Sequence, residues 1–306
     1  MPRTTPKKSH SAAPTEKVSS LWLLKALLLV VLAALVSLWL TLCLLFYRGQ
    51  WQLVLHPVHN NAAQSVASED VVRFGPDESA TPQLVGRWIP AAPQARYATT
   101  TVLFLPAGDG SLSDSRPTLE ALHQIGLNVF AFDYRGFGPS ANTHPSQQKM
   151  TQDAESAWRY LTATRGIAPG NILPYGTGVG ASLAAQLALN HPETPALILD
   201  SPNTDLMEVA RRDPRLSLIP VRLLFHEDFP LAAPLATLRT PKLLITTTNK
   251  PSPAFQTAAT PKMTVELNAI PGSQYQEAVT RFLDQYLPRS SAPLVPTQAP
   301  SATNSR

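Results

Sequence analysis

From about residue 100 to residue 287 the chain alternates short apolar runs with amphipathic ones, and no other feature narrows its fold so far. TTTVLFLPA, NVFAFDY, NILPY, ALILDSP, KLLITTT and MTVELNAI read as strands. SRPTLEALHQIG, TQDAESAWRYLTATRG, ASLAAQLALNH and QYQEAVTRFLDQYL carry helical spacing. Strands that alternate with amphipathic helices form a mainly parallel sheet covered on both faces, so the expected fold class is α/β. Upstream, QLVLHPV, DVVRFGP and QLVGRWIPAA alternate with period two between Pro, Gly, Asn and Asp, which predicts antiparallel strands and hairpins. There is no internal repeat.

A second run excludes its own residues from that core. Residues 21–46, LWLLKALLLVVLAALVSLWLTLCLLF, are uninterrupted apolar sequence after Lys25. As a helix they are long enough to cross a hydrocarbon layer of about 30 Å at about 1.5 Å per residue. Trp22, Trp39, Tyr47 and Trp51 supply amphipathic rings, and Lys25 can snorkel to the headgroups. The following FYRGQWQ offers no small-x-small cleavage site, and the run exceeds a signal peptide's apolar core, so an uncleaved single-pass anchor is expected. Arg3, Lys7, Lys8, Lys17 and Lys25 precede the run while only Arg48 closely follows it. This bias predicts a cytoplasmic N-terminus and a folded domain outside, on the periplasmic or extracellular side. The single cysteine, Cys43, lies within the run, so the outer domain carries no disulfide and the topology is not tested by cysteine usage.

The expected organisation is a disordered tail (1–20), a transmembrane helix (21–47), an α/β domain (48–288) with a lid-like insertion (203–238), and a Pro/Ser/Ala/Thr-rich tail (289–306) too poor in apolar residues to repay ordering. The formal net charge of +4 is dispersed and Lys and Arg do not cluster with aromatics, so nucleic acid is not an expected partner. His226, Glu227 and Asp228 form a polar loop cluster, and His56 and His59 lie three apart, but neither set has recognisable metal-ligand spacing. His191-Pro192-Glu193 reads as a helix-ending turn. No metal and no cofactor is expected.

In parallel sheets reacting groups gather where strands end, which directs attention to PAGDGS (106–111), DYRGFGPS (133–140), GTGVG (176–180), DSP (200–202), TTTNKPSP (246–253) and PGSQY (271–275). The glycine turn NILPYGTGVGASLAAQLAL admits two readings. As a dinucleotide fingerprint, Gly176, Gly178 and Ala181 satisfy G-x-G-x-x-G/A, with Asp200 at the end of the next strand for a ribose hydroxyl. That fingerprint normally follows the first strand of its sheet, and here two strand-helix units precede it. As a nucleophile elbow, G-x-S-x-G, the turn would present its central residue at the top of the sheet.

VLFLPAGDGS, DYRGFGPS, GTGVGAS, LILDSP and PGSQY together make residues 68–288 resemble the α/β-hydrolase superfamily, particularly its membrane-anchored serine-hydrolase branch. The resemblance implies a Ser-Asp-His triad, and position by position each member is missing. The serine falls on Gly178, the acid at or near Lys250 in a loop without a carboxylate, and the histidine on Tyr275; no histidine follows His226. The same resemblance implies oxyanion-hole donors at the backbone N–H groups of Gly108 and Val179, which can hold an anion without a nucleophile, although Asp109 would repel one. Ser182, four residues into the helix, is expected to pack or cap, and Thr177 to point away from the tip. For DYRGFGPS the resemblance-free reading is a turn in which Asp133 and Arg135 tie loops together.

The leading expectation is a membrane-anchored α/β-hydrolase-like protein without a working triad, a binding or scaffold module whose partners are the lipid bilayer and a small anionic or acyl ligand or a protein. A hydrolase of esters, amides or lipids with a relocated nucleophile stands as the alternative, and nucleotide binding at GTGVGA as the second.

Overall fold

The computed structural model describes residues 19–58, 70–75, 82–203, 206–207, 214–247, 252–268 and 270–287. It divides into two units, one up to Arg48 and one from Gly49 onward. The first is a single helix, α1 (Ser20–Gly49), built of Leu, Ala and Val with no proline and no glycine before its last residue. A 3-10 turn, Gln50–Leu53, continues it. By length and composition this helix can cross a membrane.

The second unit is an eight-stranded sheet with helices on both faces. Its strands are β2 (Val71–Phe74), β3 (Leu84–Ile89), β4 (Tyr97–Leu105), β6 (Leu127–Asp133), β7 (Ile172–Thr177), β8 (Leu197–Asp200), β9 (Lys242–Thr246) and β10 (Lys262–Glu266). Their spatial order is β10-β9-β8-β7-β4-β6-β3-β2. Only the β2–β3 and β3–β6 pairs are antiparallel, so the period-two segments upstream form one edge of the sheet. From β4 the chain first adds β6 on one side and then crosses to add β7 on the other. This reversal opens a crevice at the C-terminal ends of β4 and β7, where Leu105 pairs with Gly176.

Helices α2 (Arg116–Gln124), α3 (Gln147–Arg159), α4 (Gly180–Asn190) and α8 (Ser273–Tyr286) cover the sheet. The one-turn helices α5 (Val221–Leu224), α6 (Ala232–Thr237) and α7 (Pro253–Thr257) lie in the later loops. Strands β7, β8 and β9 are almost wholly buried, which is why they read in sequence as continuous apolar runs rather than as alternation. Helix α8 buries Tyr275, Ala278, Val279, Phe282 and Leu283, a stripe at helical spacing. The larger of these contribute about 1.5–3 kcal/mol each by leaving water, as an upper estimate. Lys242 is fully buried in β9, and backbone carbonyls take the place of water around its ammonium. Nζ donates to the carbonyls of Leu238 at 2.9 Å, Ala259 at 2.8 Å and Pro261 at 3.4 Å. Burial lowers its pKa to about 8.

One expected strand is corrected. QLVLHPV does not form an antiparallel hairpin: after the 3-10 turn only β1 (His56–Pro57) remains, paired in parallel with β5 (Asp109–Gly110). Pro57 has no N–H to give to a longer ladder, and Val54 and Leu55 are buried as loop residues instead. The expected insertion at 203–238 is represented by α5, α6 and the loops around them, while 204–205 and 208–213 lie outside the described residues.

Candidate functional site

At the crevice, β7 turns into α4 through Gly176, Thr177, Gly178, Val179 and Gly180. The tip residue Gly178 has φ +56°, the left-handed region that a side chain disfavours. A Cβ on Gly176 would run into the carbonyl of Gly180, and one on Gly180 into the carbonyl of Leu105, so the two flanking glycines let strand, helix and neighbouring strand approach. This is the geometry of an elbow. Its tip is closed rather than open: a Cβ on Gly178 would lie 2.7 Å from Cβ and 3.0 Å from Cα of Ala107, in the loop that follows β4. Gly178 N–H donates to the Asp200 carbonyl at 3.3 Å and its own carbonyl accepts from Asn203 N–H at 3.2 Å. The N–H of Val179, the expected oxyanion donor, is directed at the Ala107 carbonyl in a long bond of 3.4 Å. In this structure that N–H is taken by the loop carrying Ala107. Gly108, the other expected donor, has φ +72° and lies under Leu55 and the Val179 side chain, which would stand 2.9 and 2.7 Å from a Cβ there.

Where the resemblance implies a histidine, Tyr275 opens α8 with its side chain fully buried. Its hydroxyl donates to the Tyr175 hydroxyl at 3.2 Å, and Tyr175 in turn donates to Asp200 Oδ2 at 2.9 Å. Three polar side chains are thus joined within the core below the elbow. Burial pushes both tyrosine hydroxyls above their ordinary range and raises the Asp200 carboxyl as well. Asp200 is 5% exposed and committed to Tyr175, so it does not present a carboxylate to a ribose, and the fingerprint reading loses its acidic partner.

Comparison with known proteins agrees with this architecture. Residues 100–292, more than half of the chain, match the family described as serine aminopeptidase, S33. The chain belongs to that family. It is 35% identical over 139 residues to an uncharacterised protein of Mycobacterium tuberculosis, covering 45% of this chain and 47% of that one. To human alpha/beta hydrolase domain-containing protein 17B it is 30% identical over 159 residues, 52% of this chain and 51% of that one. The chain spans about half the length of the curated relatives it matches. An esterase from Pyrococcus furiosus superposes with a TM-score of 0.56 at 18% identity, covering 77% of this chain and 98% of its own. An acetyl xylan esterase from Paenibacillus gives 0.51 at 17% identity, covering 79% and 94%. These likenesses show the α/β-hydrolase fold.

Several other candidates in this S33 family member have structural partners. Ser182 Oγ donates to the Pro230 carbonyl at 2.7 Å, so it packs as expected. Lys250 and His59 lie outside the described residues. His56 stands 3.7 Å from Asp109 at an exposed position. His226 Nδ1 contacts the Leu224 carbonyl, and Glu227, its pKa raised by burial, accepts from Gln147 N–H. His191 pairs with Glu155 at 2.8 Å and stacks on Trp158. Among the described residues no group of three or more His, Cys, Asp or Glu could hold a metal ion. The DYRGFGPS loop ties the fold together: Asp133 accepts from Leu112 N–H at 2.8 Å, and Arg135 Nε donates to the fully buried Asp153 at 2.6 Å. A small hollow beside the crevice is lined by Pro106, Gly108, Asp109, Asp133 and Tyr134. Its two carboxyl groups disfavour an anion, and burial holds the Asp133 carboxyl at a pKa of about 6. Sequence reasoning missed Ala107 and Tyr175. The only signal for either was position, Ala107 one residue before the presumed donor and Tyr175 one before the first glycine.

Proposed function

We propose that this S33 family member is a membrane-anchored α/β-hydrolase-fold protein that binds or scaffolds and does not carry out acyl transfer. The observation that carries the reading is the closed elbow. Its tip has no hydroxyl, and a side chain added there would stand 2.7 Å from Ala107 Cβ, which leaves it no room to project into the crevice. The position implied for the base supports it, since Tyr275 is buried and its hydroxyl is hydrogen-bonded into the core. A fold does not confer chemistry without its site. The anchor part of the reading rests on α1, and the inside placement of the N-terminus on the Lys/Arg bias before it.

The test is a fluorophosphonate serine probe applied to the full chain in detergent, beside an active hydrolase of the same fold. No labelling is expected. Stoichiometric labelling at Ser182, or at any other residue, would establish a relocated nucleophile and overturn the proposal.

A further inference from the structure

Outside α1, the described residues include five large apolar side chains that are strongly exposed: Leu53, Val58, Leu189, Leu218 and Leu223. Four of these lie in two segments far apart in sequence, 53–58 and 218–223. Leu218 at 76% and Leu223 at 75% are the most exposed of all. The one-turn helix α5 has two distinct sides: Val221 and the following Phe225 point inward, each 6% exposed, while Arg222 and Leu223 face out.

A single buried side chain joins the chain just before the first segment to the chain just after the second. Gln50, 5% exposed, donates from Nε2 to the Leu224 carbonyl at 3.1 Å and accepts from His226 N–H on Oε1 at 2.7 Å. From the other side, Gln147 Oε1 accepts from Phe229 N–H at 3.0 Å. Both ends of one amide are spent on fixing the backbone that follows α5, an arrangement that sets this loop in place rather than leaving it to drift. Gln50 is also the residue immediately after α1. The loop carrying Leu218 and Leu223 is therefore fixed to the point at which the chain leaves its apolar helix.

We infer that the 218–223 segment is a second membrane contact, with Leu218 and Leu223 inserted at the lipid headgroup boundary and Arg222 reaching the phosphates. The inference rests on the proposed role of α1 as a membrane anchor. If α1 ends at the bilayer surface, Gln50 is at that surface, and the side chains beside its partner Leu224 lie within a few residues' reach of it. Apolar side chains with an adjacent arginine suit that environment, where the aliphatic part is buried and the charge stays wet. The occupant is thus the lipid bilayer, continuous with the surface that α1 meets if it is the anchor proposed above.

The experiment uses the full chain in vesicles of phosphatidylcholine and phosphatidylglycerol at low protein density. Cys43→Ser removes the native thiol, and single cysteines carry an environment-sensitive fluorophore at Leu223→Cys, Leu189→Cys or Val36→Cys. The label at Leu223→Cys should shift to the blue and be quenched by shallow spin-labelled lipid at least threefold more than the label at Leu189→Cys. Val36→Cys, within α1, should be quenched by deep spin-labelled lipid. If Val36→Cys is quenched but Leu223→Cys behaves like Leu189→Cys, the inference falls and the anchor stands. If Val36→Cys is not reached by lipid quenchers, the anchor reading falls and the inference with it. A Leu223→Cys label shielded from iodide only at high protein density, without lipid quenching, would mean that a second copy of the chain covers this face, and would also overturn the inference.

Discussion

Replacing Gly178 with serine puts the missing hydroxyl back, and the structure predicts what that costs. Two terms add. At φ +56° a residue with a Cβ is strained by about 1–2 kcal/mol. The new Cβ would also stand 2.7 Å from Ala107 Cβ, closer than real Cβ contacts come, and relieving it requires moving the loop after β4, an overpacking cost of about 1–3 kcal/mol. Gly178→Ser should therefore destabilise the protein by about 2–5 kcal/mol. Gly166 supplies an internal reference, because it has φ +69° and nothing within 4 Å of its Cβ position. Gly166→Ser should show the strain term alone, about 1–2 kcal/mol. The difference between the two substitutions isolates the contact with Ala107, and Ala107→Gly should restore part of what Gly178→Ser loses in a double-mutant cycle. Urea unfolding followed by tryptophan fluorescence reads all five proteins, the parent, the three single variants and the double variant. The reasoning is refuted if Gly178→Ser costs no more than Gly166→Ser, or if Ala107→Gly fails to couple with it. On the proposed reading the substituted protein should still give no burst with an activated ester, because the position implied for the base holds the buried Tyr275.

Topology can be read with a reporter active only outside the cytoplasm and fused after Leu287; activity is expected from the Lys/Arg bias before α1, and a reporter active only in the cytoplasm would reverse the assignment. For pH, burial holds the Asp133 carboxyl at about 6 against the ordinary 3.8. The folded chain thus binds this proton more tightly than the unfolded chain, so its contribution to stability is complete below about pH 4 and lost as pH rises through about 6. Asp133→Asn keeps an acceptor for Leu112 N–H and should gain on the parent protein by up to about 3 kcal/mol between those pH values, with denaturant midpoints across the range as the check. A midpoint difference that stays flat from pH 4 to 7 would refute the assignment.

The parallel strands were legible because burial on both faces forces them to be continuously apolar, as in ALILD and KLLIT. The elbow was legible because the close approaches of Gly176 and Gly180 tolerate no other residue. The absence of a histidine after His226 could also be read directly, since an absence needs no alignment. What stayed hidden depends on contacts through space. Nothing in PAGDGS signals that Ala107 presses on Gly178 or that its carbonyl faces the Val179 N–H. The tyrosine at 275 gave away a missing base but not its bond to Tyr175, 100 residues earlier. The apolar residues of QLVLHPV misled because Val54 and Leu55 are both buried as adjacent loop residues, which a one-faced strand could not do. The clamp formed by Gln50 joins residues about 175 positions apart, beyond any local pattern.

The buried chain from Tyr275 through Tyr175 to Asp200 bears on how such a sequence can change over time. A tyrosine with its ring in the core and its hydroxyl engaged is not exchanged for histidine without leaving a void and removing the donor to the Tyr175 hydroxyl. A serine at 178 meets its own penalty at Ala107, independent of the first. Each of these substitutions would therefore cost stability by itself. If the proposed reading holds, a hydroxyl at 178 and an imidazole at 275 each meet a separate packing obstacle, so installing one does nothing to ease the other.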